Sequence, residues 1–345
     1  MHGSRTDEQR SLTELLRQTS RSFQLTLRVL PGAVRWPIGL AYLLARISDT
    51  IADTKVVVPD QRLAALEEFR QRLLGVRAGP MNLAALGQHQ GSSAELALLE
   101  QSELAIAALS ALSPADRGRV VDVLQVILSG QELDLRRFAA ADTDRVVALT
   151  TAADLDDYTY RVAGCVGEFW TRMCRAHLFP KTRLDDTQFF ADAIAFGKGL
   201  QLVNILRDIP ADLRQGRCYL PADELARHGL TPAELLSPAK ESRVRPYYDT
   251  LLDQARANLQ AGWRYTNTIP RGQIRVRLAC AWPILIGAAT LARWRHERIL
   301  DPEHRVKVSR AEVRAIVWHS LIFYPFRRAW ERQFVDANST GKAVA

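Results

Sequence analysis

Apolar residues recur at intervals of three and four along most of the chain, which is the spacing of one helix face, and no stretch alternates apolar and polar as a half-buried strand does. This pattern predicts helices over residues 34–52, 61–76, 94–112 and 115–138, the first entered through Pro31-Gly32 and the fourth through Ser113-Pro114. Further helical periods cover residues 158–170, the stretch from Gln201, and residues 247–268, 276–299 and 316–330. Residues 278–292 are almost wholly apolar and mark a central helix, yet no apolar run approaches the roughly 18 residues of a membrane span. Residues 77–93, with Gly79-Pro80, Gly87 and Gly91, form the most linker-like segment, and residues 216–221 read as an irregular exit. The expected architecture is all-α: residues 19–335 as a single domain, after a polar and partly frayed segment 1–18 and before a tail 336–345.

Two of these helices carry a polar stripe. At about 100° per residue, Gln201, Asn204, Asp208 and Asp212 fall in one narrow sector while Leu202, Val203, Leu206 and Ile209 point elsewhere. Carboxylates one turn apart repel unless something positive lies between them, and carboxylate and amide oxygens are the ligands that Mg²⁺ accepts. Arg207, Arg214 and Arg217 follow at once, and guanidinium groups make forked bonds to phosphate oxygens. Alone, such a pair is more readily a solvated helix face. Tyr42, Arg46, Asp49 and Asp53 form a second stripe within about 60° on a helix apolar elsewhere, which suits the wall of a cavity better than a solvent face. Two acidic pairs facing one cavity could hold several cations around a diphosphate. Pro210, inside the first-described stripe, removes a helical hydrogen bond and predicts a kink or an end near Asp208.

Other stretches read two ways. Ser20, within Thr19-Ser20-Arg21-Ser22-Phe23, is a phosphate contact or a helix N-cap. Tyr158, Val162, Cys165 and Phe169 share a face, and Gly164 and Gly167 beside them signal close approach of a backbone or of a ligand. Asp134 is a further cavity carboxylate or the partner of Arg136 or Arg137. The basic run up to Lys307 and Arg310 binds phosphate or is solvated. Trp318, Phe323, Phe326 and Trp330 beside Arg327-Arg328 suit a membrane interface or a core helix with a basic end.

The net charge of +8 over 345 residues and a pI near 9.6 call for an anionic partner. Arginines are scattered among apolar residues rather than gathered in an arm, so a phosphorylated small molecule or anionic lipid fits and nucleic acid does not. Four cysteines with no CxxC spacing, and no secretory signal ahead of them, suggest reduced cytoplasmic thiols.

Together, Ser20-Arg-Ser-Phe23, Tyr42 with Arg46-Ile-Ser-Asp49-Thr-Ile-Ala-Asp53, Tyr158 with residues 162–167, and residues 201–221 resemble the squalene/phytoene synthase family of head-to-head prenyl transferases, in its motif order and spacing. The resemblance runs from about residue 19 to 310. It implies a single-domain, all-α isoprenoid-synthase bundle around a central cavity. It further implies Mg²⁺ (or Mn²⁺) on Asp49, Asp53, Asn204, Asp208 and Asp212, and diphosphates held by Ser20, Arg21, Ser22, Arg46, Gln201, Arg207 and Arg217. Tyr42 and Tyr158 would stand near the reacting carbons, with Phe23, Val162, Cys165, Val166, Phe169 and Cys280 lining the pocket. The expected reaction joins two farnesyl diphosphates per turnover and reduces the product with NADPH, held by Lys307 and Arg310, to squalene; dehydrosqualene, phytoene, presqualene diphosphate or hydroxysqualene are alternative products, and a non-catalytic lipid-binding bundle is a remote one. Asp49-Thr-Ile-Ala-Asp53 preceded by Tyr-Leu-Leu-Ala-Arg looks most like squalene synthases, while Ala52 departs from many of them in lacking an extra acidic residue. No glycine fingerprint for a dinucleotide is present. A monomer in the cytoplasm, or peripheral at the inner face of the membrane, is the expected setting, since the anchoring tail of the eukaryotic enzymes is not seen.

Overall fold

The computed structural model describes residues 2–20, 23–54, 57–81, 83, 86, 92–301, 303 and 307–339, with the side chains of residues 2–6 and 339 left aside. Helix dominates, and the chain packs as two compact units, Met1–Ala139 with Phe169–Pro180, and Ala140–Glu168 with Lys181–Ala345.

In the first unit the polar N-terminal segment is helical over His2–Thr19 (α1), because Leu12 and Leu15 bury one side of it. A short α2 (Phe23–Val29) leads into α3 (Gly32–Asp53), the central helix of this unit. Its start is braced by the Arg35 guanidinium, which donates to the Leu30 carbonyl at 2.6 Å. Leu40, Leu43, Leu44, Ile47 and Ile51 are fully enclosed, and α4 (Pro59–Leu74) packs against them. The predicted helix 94–112 is two, α5 (Ser93–Glu100) and α6 (Ser102–Ser110), separated at Gln101. Helix α7 (Pro114–Arg137) also lies against α3; its Ser113 cap accepts from the Asp116 amide.

The second unit is built on α8 (Ala152–Thr159), a π-helical turn (Tyr160–Gly164) that runs on into the start of α9 (Cys165–His177), whose residues from Phe169 onward belong to the first unit, and α10 (Asp186–Leu213). Where α9 and the π turn pass α10, a Cβ on Gly167 would lie 2.0 Å from the Ala193 carbonyl oxygen, and one on Gly197 would lie 2.2 Å from that of Ala163. The repeated glycines therefore serve helix-to-helix contact, one of the two readings the sequence left open. Of the kink or end expected at Pro210, the end does not occur there: α10 continues through it to Leu213, and the proline forfeits a single helical hydrogen bond. Beyond the turn, Arg217–Cys218 (β2) pairs in parallel with Val147–Ala148 (β1), a two-residue strand pair too short to leave an alternating pattern. A small α11 (Ala222–Arg227) precedes α12 (Glu241–Thr268), which packs along α10.

Helix α13 (Ile274–Trp294) is the apolar core helix the sequence predicted, with most of its side chains buried. It and α10 are long and apolar enough to cross a membrane, which corrects the expectation that no run approaches that length, but 78% of the α13 window is buried inside the protein. The predicted helix 316–330 is two helices, α14 (Arg310–Phe323) and α15 (Arg327–Ser339), parted by the Tyr324-Pro325 turn. Of α14 only Ser320 is buried, so it is not the core helix that its apolar composition allowed.

Candidate active site

In the first unit, helical periodicity on α3 sets Tyr42, Arg46, Asp49 and Asp53 on one side. Arg46 Nη1 donates to Asp49 Oδ2 at 3.1 Å, and Gln131 Nε2, from α7, donates to Asp49 Oδ1 at 2.5 Å. Burial raises the Asp49 carboxyl above the usual range and the nearby Asp53 adds repulsion, while Arg46 and Gln131 oppose both. The site is thus a half-enclosed acid whose charge needs cationic help, with Asp53 exposed one turn away. The Tyr42 ring stacks on Phe23 with centroids 4.7 Å apart, and its hydroxyl lies 3.5 Å from the Thr19 carbonyl oxygen. Ser20 is buried, and its hydroxyl, like Arg46 Nε and Gln131 Oε1, has no protein partner. Arg21 and Ser22 lie outside the described residues. Ala52, where an acidic residue was conceivable, is buried and its carbonyl accepts from Arg62 Nη1 at 2.7 Å. The contribution of Gln131 went unseen in the sequence, although it adjoins Gly130 and lies one turn before Asp134, which is half-buried.

In the second unit, the α10 stripe is in place. Asn204 is exposed, with its amide 3.4 Å from Gln201 Oε1, and Asp208 and Asp212 are half-buried. Arg207 clasps the neighbouring Asp208 with Nε and Nη2, at 2.9 and 2.6 Å, and these hydrogen bonds, with the charges of Asp208 and Asp212, raise its guanidinium further above its ordinary value. Arg214, read as a third phosphate ligand, instead donates from Nε to the Pro210 carbonyl at 3.0 Å, closing the end of α10. Arg217 is brought back by Gly216, whose φ of +75° suits glycine, and whose missing Cβ would meet the Asp142 carbonyl oxygen at 2.2 Å. The strand pair then fixes it, with the Val147 amide donating to the Gly216 carbonyl at 2.8 Å.

Tyr158 is half-buried and stacks on Tyr219, which leaves the same exit strand, with centroids 4.8 Å apart. The π turn that follows is a wide turn of the kind that recurs at functional sites. Cys165 and Cys280 are buried, as is Phe169, whereas Val162 is half-buried and Val166 is 37% exposed. Cys165 Sγ donates to the Arg161 carbonyl at 3.0 Å. Lys307 and Arg310 are exposed at the start of α14; the helix N-terminus itself is closed by a capping box between Ser309 and Glu312.

Among the described residues no group of three or more His, Cys, Asp or Glu side chains is assembled as a closed metal cage. Each aspartate set offers two carboxylates, which fits Mg²⁺, an ion that keeps several waters and is bound by one or two carboxylates plus substrate phosphates. The unpartnered Arg46 Nε and Ser20 hydroxyl are donors of the kind an anionic group satisfies. For NADPH, Lys307 and Arg310 are exposed cations of the kind that a phosphate contacts.

The Squalene/phytoene synthase family model matches residues 16–312, and the chain belongs to that family, whose members are prenyltransferases acting on prenyl diphosphates. The 15-cis-phytoene synthase of Synechococcus elongatus is 26% identical over 313 residues, which cover 89% of this chain and 87% of that one. The squalene synthase of Eremothecium gossypii is 24% identical over 297 residues, 85% of this chain and 64% of that one. The chain spans about half the length (48%) of the bifunctional lycopene cyclase/phytoene synthase of Phaeosphaeria nodorum. A complex of TcSQS with the ligand E5700 superposes with a TM-score of 0.75 at 20% identity, covering 97% of this chain and 98% of that one. The fold is accordingly the isoprenoid-synthase helical fold.

Proposed function

We propose that this chain is a squalene synthase, which condenses two farnesyl diphosphates head to head through presqualene diphosphate and reduces the product with NADPH. The observation that carries the reading is the recurrence of one arrangement in both units: a pair of carboxylates one turn apart, one of them bonded directly to an arginine, Arg46 on Asp49 and Arg207 on Asp208. Asp49, Asp53, Asn204, Asp208 and Asp212 would hold Mg²⁺, which when bound neutralises diphosphate charge as the carbon–oxygen bond breaks. Arg46, Arg207 and Arg217 bind and orient the diphosphates, with Ser20, Gln201 and, by resemblance, Arg21 and Ser22 completing the set. Arg46 and Arg207 already sit on Asp49 and Asp208, so the charge they present to a departing diphosphate is preorganised. One farnesyl group ionises, the double bond of the second captures the allylic cation, and loss of a proton closes the cyclopropane. The ring faces of Tyr42 and Tyr158, each held by stacking, stabilise the cation, and a tyrosine with released diphosphate takes the proton. Apolar side chains around them exclude the water that would quench the cation. NADPH supplies the hydride of the second half-reaction when bound. The squalene assignment rests on the Tyr-Leu-Leu-Ala-Arg46 and Asp49-Thr-Ile-Ala-Asp53 sequences and the basic run ending at Arg310.

The matches to phytoene synthases such as that of Synechococcus elongatus favour a second reading, the same condensation on a C20 substrate without reduction. Incubation with farnesyl or geranylgeranyl diphosphate and Mg²⁺, with and without NADPH, separates the two by product mass. Squalene formed only with NADPH supports the proposal; phytoene, or one dehydrosqualene product in both tubes, overturns it. We place the enzyme in the cytoplasm as a monomer, a setting that suits four buried cysteines that form no disulfide.

A further inference from the structure

Helix α14 is turned with its apolar side outward. At about 100° per residue, Arg310, Arg314, Trp318, Leu321 and Ile322 fall within about 120° of one another. Trp318 is 64% exposed and Ile322 55%, and just past the helix Phe326 is 63% exposed. The orientation is fixed from beneath. On the opposite side the buried Ser320 hydroxyl accepts from Trp282 Nε1 of α13 at 2.8 Å. The Tyr324-Pro325 turn is held as well: Tyr324 donates to the Arg271 carbonyl at 2.5 Å, and Arg271 donates back to the Pro325 carbonyl at 3.2 Å. Under the turn the buried Arg277 guanidinium lies 5.6 Å from the Tyr324 ring centroid and 5.5 Å from that of Trp330. A tryptophan and a phenylalanine are thus presented to the outside on a braced scaffold rather than left over from an imperfect core.

The surroundings are basic. Residues 307–339 carry six lysines and arginines, all exposed, against three carboxylates, of which Glu331 is engaged by Arg327 and Glu312 by Arg293. Arg310 and Arg314 flank the apolar strip on α14, and Arg328 and Arg332 stand one turn apart on α15. Trp and Phe inserted at headgroup depth with arginines around them is the arrangement of an interfacial anchor, whose strength adds buried apolar area to attraction for anionic lipid. A second copy of this chain would bring the same cations against themselves, at a repulsive cost. We propose that the α14–α15 face docks this protein, through Trp318, Leu321, Ile322 and Phe326, onto a bilayer surface bearing anionic headgroups. The inference stands on this surface alone and does not depend on which prenyl diphosphate is the substrate.

Flotation of the whole chain with vesicles tests it, using phosphatidylcholine alone and phosphatidylcholine mixed with phosphatidylglycerol. Wild type should float with the mixed vesicles and be released by salt. Arg314→Ala and Arg328→Ala should each lower the partition coefficient about fivefold. Trp318→Ala with Phe326→Ala should lower it about tenfold or more on the same vesicles. All four side chains are exposed, so thermal melts and prenyl-transfer rates in solution should stay at wild type, which separates this surface from the catalytic residues. Failure to float with mixed vesicles, or flotation unchanged by these substitutions, overturns the proposal. A light-scattering mass of a dimer that Trp318→Ala converts to monomer, without vesicle binding, assigns the face to a second copy and overturns it too.

Discussion

Replacing Gln131 by leucine should weaken metal-dependent turnover without weakening the fold. The Gln131 amide donates to Asp49 Oδ1 at 2.5 Å, and the remaining help for that carboxylate comes from Arg46 on the other oxygen at 3.1 Å. A hydrogen bond to a charged group contributes about 1.5–3 kcal/mol when shielded, and the Asp49 side chain is 39% exposed, so about 1–2 kcal/mol is the reasonable loss. At about 1.4 kcal/mol per factor of ten, the half-saturating Mg²⁺ concentration for turnover should rise about five- to thirtyfold. Burial already raises the Asp49 carboxyl and the amide counters it, so the variant acid holds its proton to higher pH; the defect should deepen as pH falls and shrink as pH rises. Stability should not follow, because Gln131 is buried and its Oε1 has no partner, and leucine removes that unsatisfied acceptor at similar volume. The assay is Mg²⁺ titration of prenyl transfer for wild type and Gln131→Leu at two pH values, alongside thermal melts. An unchanged Mg²⁺ dependence with an unchanged melt refutes the role given to Gln131; a collapsed melt refutes the reasoning about its unsatisfied oxygen.

Asp49→Asn and Asp208→Asn should each nearly abolish turnover while circular dichroism stays native, Asp208 being about half exposed and its link to Arg207 worth under about 1 kcal/mol to stability; normal activity in either would remove that residue from the metal set. Gly197→Ala should cost about 3 kcal/mol or more, since its Cβ meets the Ala163 carbonyl at 2.2 Å, whereas Gly164→Ala should cost less because its nearest neighbours are side chains at 3.1–3.3 Å; equal shifts in melting temperature would contradict the packing argument. Burial pushes the Cys165 and Cys218 thiols up to about 12, so at pH 8 both should resist iodoacetamide in the native protein and react once unfolded. Because the folded state keeps these protons longer than the unfolded state does, their effect on stability is a loss as pH rises past the ordinary thiol range; alkylation of the native protein at pH 8 is the contrary result.

The two aspartate stripes were legible because they are purely local: helical period sets four side chains on one side whatever the tertiary structure does, and α3 and α10 are both helical over the stretches concerned. What the sequence hid depends on partners far along the chain. Gln131 reaches Asp49 across 82 positions, and on its own helix it looks like any polar residue of an amphipathic segment. The apolar strip of α14 read equally as core, since periodicity says which side of a helix is apolar and cannot say whether another element covers it. Gly164 and Gly167 could be recognised as unusual, but that Gly167 meets the α10 backbone at Ala193 required both backbones in place.

Pro210 shows the opposite failure, a local rule applied where its cost is small. The hydrogen bond it removes is the single one to the Leu206 carbonyl, and past it the chain needs only to reach Gly216, where a positive φ reverses direction and the strand pair takes hold. The Arg214 guanidinium occupies the Pro210 carbonyl, one of the terminal acceptors that a helix leaves without an intrahelical donor. An arginine that the sequence grouped with Arg207 and Arg217 thus finishes the helix that carries Asp208 and Asp212. Arg214→Ala should therefore loosen the end of α10 and raise KM modestly, where Arg217→Ala should depress turnover itself; parallel kinetics on the two variants decide whether the division of labour is as the hydrogen bonds describe.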